Sequence, residues 1–209
     1  MGQAFFVAGG CSEKGGLIFT NGNGDTYALR IYDRKLCGSG GKSGGIYADH
    51  RKNRGAENLC IIGILSRGVV LAERIAKKIF DLEQVQVDFG ALDITPYRDD
   101  LTADASHAEQ SSIHFPVQDK CVVIVDDVLY TGRSCRAAID AILALGRPQC
   151  MQLAVLVDRG HRELPIRPDY VGKNVPTSQT ETVCVSMQEI DGVDCVAIYQ
   201  DTPDRKKKI

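Results

Sequence analysis

Apolar and polar positions follow two unlike patterns along this chain, and the change falls near residue 55. Leu59-Cys60-Ile61-Ile62-Gly63-Ile64-Leu65 carries no polar side chain, which predicts a strand buried on both faces. Ser66-Arg67-Gly68 reads as a turn. Over 69–80, Val70, Leu71, Ile75 and Ile79 recur at helical spacing, with Lys77 and Lys78 on the other side. Val85 to Ile94 has a strand pattern. Residues 97–116 are polar and mixed, a loop of a length usually tied to function. Residues 121–125 (Cys-Val-Val-Ile-Val) are a second buried strand, 134–145 a helix closed by Gly146 and Pro148, and 151–157 a third buried strand. Residues 183–186 and 195–199 are short terminal strands. The alternation predicts an α/β fold whose central, mainly parallel sheet is flanked by helices.

Upstream the texture differs. Residues 1–55 hold 13 of the 21 glycines, including the run Gly38-Ser39-Gly40-Gly41-Lys42-Ser43-Gly44-Gly45. Apolar patches at 5–8 and 27–32 are short, and no helical or strand period persists. The expected division is an atypical Gly-rich segment over 1–52, poorly ordered or out of frame, a core-bearing domain over 53–204, and a basic tail over 205–209 that is read as solvated. Gly41-Lys42-Ser43 is not a nucleotide loop. Leu36 stands where that motif needs glycine, and no buried strand precedes it.

Composition narrows the function classes. With 209 residues and 44% apolar content, the chain supports one full domain. A net charge of −2 argues against bulk electrostatic affinity for nucleic acid, so any RNA contact needs a local basic patch. Neither a membrane span nor a signal peptide is expected. The eight cysteines include no C-x-x-C pair, and several sit in apolar runs, which reads as reduced core thiols of a cytoplasmic protein. Neither Cys nor His shows zinc-ligand spacing.

The chemistry concentrates in Val122-Val123-Ile124-Val125-Asp126-Asp127-Val128-Leu129-Tyr130-Thr131-Gly132-Arg133-Ser134. A buried strand ends in two acids, and a short Thr/Gly loop then opens a helix. Ligands of open α/β sheets bind at the carboxyl ends of strands. The helix start offers unpaired N–H groups and a positive dipole end to a phosphate. Ionised aspartates only accept hydrogen bonds, which suits sugar hydroxyls. Together these features make one sugar-phosphate site.

This segment resembles the phosphoribosyl-diphosphate motif of the type I phosphoribosyltransferases. Asp93-Ile94-Thr95-Pro96-Tyr97-Arg98-Asp99-Asp100-Leu101 is similar to the catalytic loop of one subgroup, and Asp158 to Asn174 to that subgroup's base-covering segment. The subgroup comprises bifunctional pyrimidine operon attenuators that are also uracil phosphoribosyltransferases. The resemblance runs from about Asn53 to Tyr199.

It implies a fold with a small hood and a reaction of uracil with 5-phosphoribosyl diphosphate (PRPP) giving UMP and diphosphate. Magnesium would enter with the diphosphate and without dedicated protein ligands. Asp126 and Asp127 would hold the ribose hydroxyls, and Val128, Leu129, Tyr130, Thr131, Gly132, Arg133 and Ser134 the 5′-phosphate. Ser66 and Arg67 would contact diphosphate, joined by Arg98 when loop 97–116 closes. Arg159, Tyr170 and Val171 would face the base. The second implied role is UMP-dependent binding to pyrimidine operon leader RNA through His161, Arg162, Arg167 and Lys173, in a homo-oligomer that is a dimer or a larger even assembly. Structural alternatives stand beside these: Arg67 as a surface turn residue, Arg98 paired with Asp99 or Asp100, Tyr170 and Val171 as packing, and the basic loop as solvated.

The chain departs from the subgroup where an amphipathic helix should precede Asn53-Arg54-Gly55. One choice of codons for Gly45 to Arg51, read one base later, gives Glu-Phe-Thr-Gln-Ile-Ile-Glu, which resembles that helix end. An out-of-frame translation of residues 1 to about 51 is one reading, and a genuine disordered extension is the other.

Overall fold

The computed structural model describes residues 58–99 and 111–200, together with the strand segments 7–11, 16–21 and 26–30. Three short strands come first: β1 (Val7–Cys11), β2 (Gly16–Asn21) and β3 (Thr26–Arg30), in an antiparallel sheet of that order. The sequence pattern did not suggest them. Their alternation is too brief to separate from Gly-rich coil. Residues 31–57, where the missing helix was expected, lie outside the described residues.

The main body begins with β4 (Leu59–Ile64), followed by α1 (Arg67–Glu83) and β5 (Asp88–Leu92). Next come β6 (Cys121–Leu129), α2 (Arg133–Leu145) and β7 (Cys150–Asp158). β8 (Tyr170–Asn174), β9 (Glu181–Ser186), the single turn α3 (Gln188–Asp191) and β10 (Cys195–Gln200) close it. Five strands form a sheet in the order β5-β4-β6-β7-β8, every neighbouring pair parallel. β9 and β10 pair antiparallel as a separate hairpin, with Cys195 opposite Ser186.

Side-chain parity along the strands builds two cores. Leu59, Ile61, Val123, Val125, Ala154 and Leu156 face α1 and the hairpin, where Leu71, Ile75, Val185 and Val196 meet them. Cys60, Ile62, Val122, Ile124, Leu153 and Val155 face α2, against Cys135, Ala138 and Ile142. Ile61 and Ile62 are wholly buried on opposite faces. Each contributes about 1.5–3 kcal/mol of hydrophobic stabilisation. This two-sided burial explains the absence of polar alternation in β4.

The connections through α1 and α2 leave β4 and β6 in opposite directions along the sheet. Right-handed crossovers therefore put the two helices on opposite faces, and a crevice opens between the carboxyl ends of β4 and β6.

β6 runs nine residues, past both acids to Leu129, rather than ending at Val125. Pairing with β7 continues through Leu129 opposite Asp158, so the ladder carries the acids at its rim. Val85 to Ile94 shrinks to five strand residues, because Ile94 already leads into a 3-10 turn at Thr95–Tyr97. Among the described residues, cysteines 60, 121, 135, 150, 184 and 195 are not joined in disulfides. Cys184 departs from the expectation of core burial, lying exposed on the outer face of β9.

Candidate active site

Asp126 and Asp127 stand at the crevice, each half-buried. Asp126 Oδ1 accepts the Asp127 N–H at 2.9 Å, and Asp127 Oδ1 accepts the Val128 N–H at 2.8 Å. Backbone bonds thus fix one oxygen of each carboxylate. The two carboxyl groups also share a hydrogen bond side chain to side chain. Asp126 feels the charge of Arg98, and Asp127 that of Arg67.

Burial raises the pKa of Asp126 well above the usual carboxylate range. The adjacent Asp127 charge adds to the rise, and the Asp127 N–H and Arg98 oppose it. Burial also raises Asp127, against the lowering effects of Asp126, the Val128 N–H and Arg67. Two neighbouring acids with too little cation beside them suit hydroxyl donors.

After Leu129 the chain turns through exposed Tyr130, Thr131 and buried Gly132, which caps α2. Gly132 has φ +94°, a conformation that other residues adopt only with strain. A glycine cap supplies no side-chain acceptor of its own, and a helix start of this kind suits an anion. Arg133 N–H reaches back 3.4 Å to Thr131 Oγ1, and the Thr131 carbonyl accepts from Glu163 and Leu164 N–H at 3.0 and 3.1 Å. The Arg133 side chain donates to Glu163 (2.7 Å) and Asp99 (2.8 Å), joining the turn to both flanking loops. Ser134 is half-buried in the first turn of α2, Val128 packs toward the α1 core, and Leu129 lies in the α2 core.

On the β4 side, Ser66 is exposed and the Leu65–Ser66 peptide is cis. Arg67 opens α1, and its Nη2 donates to Asp191 at 3.0 and 3.2 Å. Gly68 lets the turn lie against β6, since a Cβ there would sit 2.4 Å from the Val125 carbonyl oxygen. Arg98 follows the 3-10 turn and is half-buried. The loop it belongs to is pinned at both described ends. Asp93 Oδ1 accepts Thr95 N–H at 2.9 Å, Ser111 Oγ accepts Asp93 N–H at 3.0 Å, and Ser112 bridges Ala91. The tip, residues 100–110, lies outside the described residues.

In the segment after β7 most of the expected base and RNA contacts are engaged within the protein. Arg159 is buried. It donates to Thr177 Oγ1 (3.1 Å) and to the carbonyls of Ser178 and Glu181, and its guanidinium stacks 4.0 Å from the Tyr130 ring centre. It therefore fastens residues 177–181 to the turn that follows β6. Tyr170 belongs to the core on the α1 side, with its hydroxyl 3.3 Å from Gln152 Oε1. Strand parity turns it away from the α2 face, where Val171 packs near Ile166. Of the two, Val171 shares a face with the Gly132 turn.

Arg162 is not a free basic contact. It donates to the carbonyls of Ile166 (2.9 Å), Tyr130 (2.7 Å) and Gly160 (3.2 Å) and pairs with Asp158 at 2.5 Å. His161 is exposed with φ +58°, and its Nε2 donates to the Thr177 carbonyl at 2.6 Å. Arg167 is exposed, and Lys173 is half-buried in β8. Asp158, Glu163, Thr177 and Asp191 were missed as supporting groups. The partners of Glu163, Thr177 and Asp191 lie far along the chain or are backbone atoms, so no local pattern marks them, whereas Asp158 pairs with Arg162 only four residues on.

Residues 41–190 match the family model of the phosphoribosyl transferase domain, beginning ahead of the expected boundary at 53. The bifunctional protein PyrR of Acetivibrio thermocellus is 61% identical over 149 residues, covering 70% of this chain and 81% of that protein. PyrR of Deinococcus radiodurans is 57% identical over 150 residues, covering 71% and 82%. The chain belongs to the PyrR family of phosphoribosyl transferases. The fold agrees with that of a hypoxanthine phosphoribosyltransferase from Trypanosoma cruzi, with a TM-score of 0.52 at 17% identity over 69% of this chain and 77% of that one. The strand-end acids and the Gly132 turn thus sit in the domain that defines the PyrR family. No cluster of three or more metal-ligating side chains occurs among the described residues, and no described helix is long and apolar enough to cross a membrane.

Proposed function

We propose that this chain transfers the phosphoribosyl group of PRPP to uracil, forming UMP and diphosphate, and that with UMP bound it binds pyrimidine operon leader RNA. The observation that carries the first part is the acid pair on β6 leading directly into the glycine-capped start of α2. The C1′–O bond breaks and its electron pair leaves on diphosphate. The new bond forms to the uracil ring nitrogen, which gives up its proton.

Asp126 and Asp127 orient the ribose hydroxyls and place negative charge near the cationic sugar. The N–H groups at 131–134 seat the 5′-phosphate. Ser66, Arg67 and Arg98 receive the growing charge of the leaving diphosphate. Magnesium would enter with the diphosphate, held by its phosphate oxygens and water without dedicated protein ligands. Bound there, it would supply charge neutralisation. Loop 97–116 closes over the site and excludes water. Val171 and backbone groups of the hood border the base, with Arg159 holding the hood in place.

The RNA surface comprises His161, Arg167 and Lys173, with Arg162 shaping the loop that presents them. It acts in a cytoplasmic dimer or larger even assembly. The out-of-frame reading of residues 1–52 remains part of the proposal. The nucleotide sequence tests it, since a shifted frame must encode an amphipathic helix there.

The activity test is UMP formation from uracil and PRPP with magnesium, run beside hypoxanthine and orotate. Turnover with uracil alone supports the assignment, and turnover with another base instead overturns the base choice. Leader RNA titrated with and without UMP tests the second role. Arg167→Ala should weaken binding and reduce its salt dependence by about one charge.

A further inference from the structure

We propose that Asp191 is a positioning residue that aims Arg67 at the diphosphate, an inference that rests on the phosphoribosyl-transfer reading above. Asp191 ends α3, the single turn between β9 and β10, and lies 124 residues from Arg67 in the chain. Arg67 Nη2 donates to both of its carboxylate oxygens, at 3.0 and 3.2 Å. Asp191 is itself held in place. Its Oδ2 accepts the N–H of Met187 at 2.8 Å, and Met187 is fully buried in the core between α1 and the hairpin.

A second set of bonds fastens the same turn, so the Arg67 pair is not needed as an anchor. Arg74 lies seven residues further along α1, on the same face as Arg67. It donates to Glu189 Oε1 at 2.8 Å and to Asp194 at 2.7 and 3.1 Å. Asp194 Oδ1 also accepts the Gln188 N–H at 2.9 Å. Arg74 clamps the turn, and Asp191 presents a carboxylate from it.

The state of Arg67 points to a ligand role. Its Nε is buried without a hydrogen-bond partner. Its charge opposes the burial-driven rise in the pKa of Asp127 at the end of β6, so the guanidinium held by the hairpin carboxylate also lies within electrostatic reach of that strand-end acid. A guanidinium is a planar fork of five donors, so fixing one nitrogen sets the plane of the rest. Without Asp191 the side chain regains its rotamers, and the diphosphate must order it again at each binding event.

The test is steady-state kinetics and titration of inorganic diphosphate with magnesium, on the full chain and its Asp191→Asn variant. The expected result is a rise of about tenfold in KM for PRPP, with kcat within about twofold and KM for uracil unchanged. Diphosphate affinity should fall in parallel. In an Arg67→Gln background, Asp191→Asn should add less than about twofold. Arg74→Ala is the control for the clamp, lowering the melting temperature while leaving KM within about twofold.

An unchanged KM and diphosphate affinity in Asp191→Asn would overturn the inference. So would a melting temperature lowered as in Arg74→Ala with no separation of KM from kcat. If the wild-type chain transfers nothing to any base, the functional reading fails. The diphosphate titration then still decides whether Asp191 sets the affinity of Arg67.

Discussion

The two strand-to-helix turns at the crevice are built alike and sit among different charged neighbours. After β4 the chain enters α1 through Ser66-Arg67-Gly68, and after β6 it enters α2 through Tyr130-Thr131-Gly132. Each needs a glycine, for different reasons. Gly68 allows backbone to touch backbone across the crevice, whereas Gly132 supplies a positive φ. The first turn offers a cation already engaged by a carboxylate, and the second follows two acids whose burial opposes their ionisation. The same supersecondary element thus carries a paired cation at one turn and two half-buried acids ahead of the other.

The largest test of this comparison is Gly68→Ala. The added Cβ meets the Val125 carbonyl oxygen at 2.4 Å, and neither backbone can yield without shifting β6. A loss of roughly 3 kcal/mol or more is expected, read as a collapse of the denaturation midpoint. A stable, active Gly68→Ala variant would break the claim that the turns are locked together.

Next is Asp126→Asn, in which activity and stability should move in opposite directions. UMP formation should fall by about 10²-fold or more, because a hydroxyl acceptor and its charge are lost. Stability should rise at neutral pH. The native Asp126 pKa lies above its unfolded value, so the folded state binds the proton more tightly and is penalised as pH rises through the native pKa. Asparagine removes that penalty. The variant should melt above wild type at pH 7, and the difference should close below about pH 4, where both forms of the wild type are protonated.

Gly132→Ala is a smaller step. Its Cβ would meet Leu164 and Ile166 only at ordinary contact distances of 3.4 and 3.5 Å, so the cost is backbone strain of about 1–2 kcal/mol. Affinity for PRPP should weaken more than kcat. The smallest effect belongs to Arg133→Ala, whose partners Glu163 and Asp99 are exposed. Thermal melting should scarcely change.

These turns also show what a single sequence reveals. Val122 to Asp127 was legible because strand, acids and helix start are contiguous, and their chemistry depends on backbone order. Leu59 to Leu65 was legible because burial on both faces removes polar residues altogether. Tyr170 was not, since the choice between core and site depends on the register of β8 against β7, a pairing with Ala154 that local pattern does not encode. Arg162 resembled a free cation in sequence but spends its donors on the carbonyls of Tyr130, Gly160 and Ile166 and on the Asp158 carboxylate. The brief strands β1 to β3 escaped because a few residues cannot establish a period against a Gly-rich background.

The account rests on the β6 acids as the ribose-binding pair, and one comparison tests this most directly. UMP formation from uracil and PRPP is measured for the wild-type chain and for Asp126→Asn/Asp127→Asn, each with a melting curve. The account predicts turnover by the wild type and a folded double variant, no less heat-stable at pH 7, that is slower by about 10²-fold or more. A folded double variant that keeps the wild-type rate would contradict it.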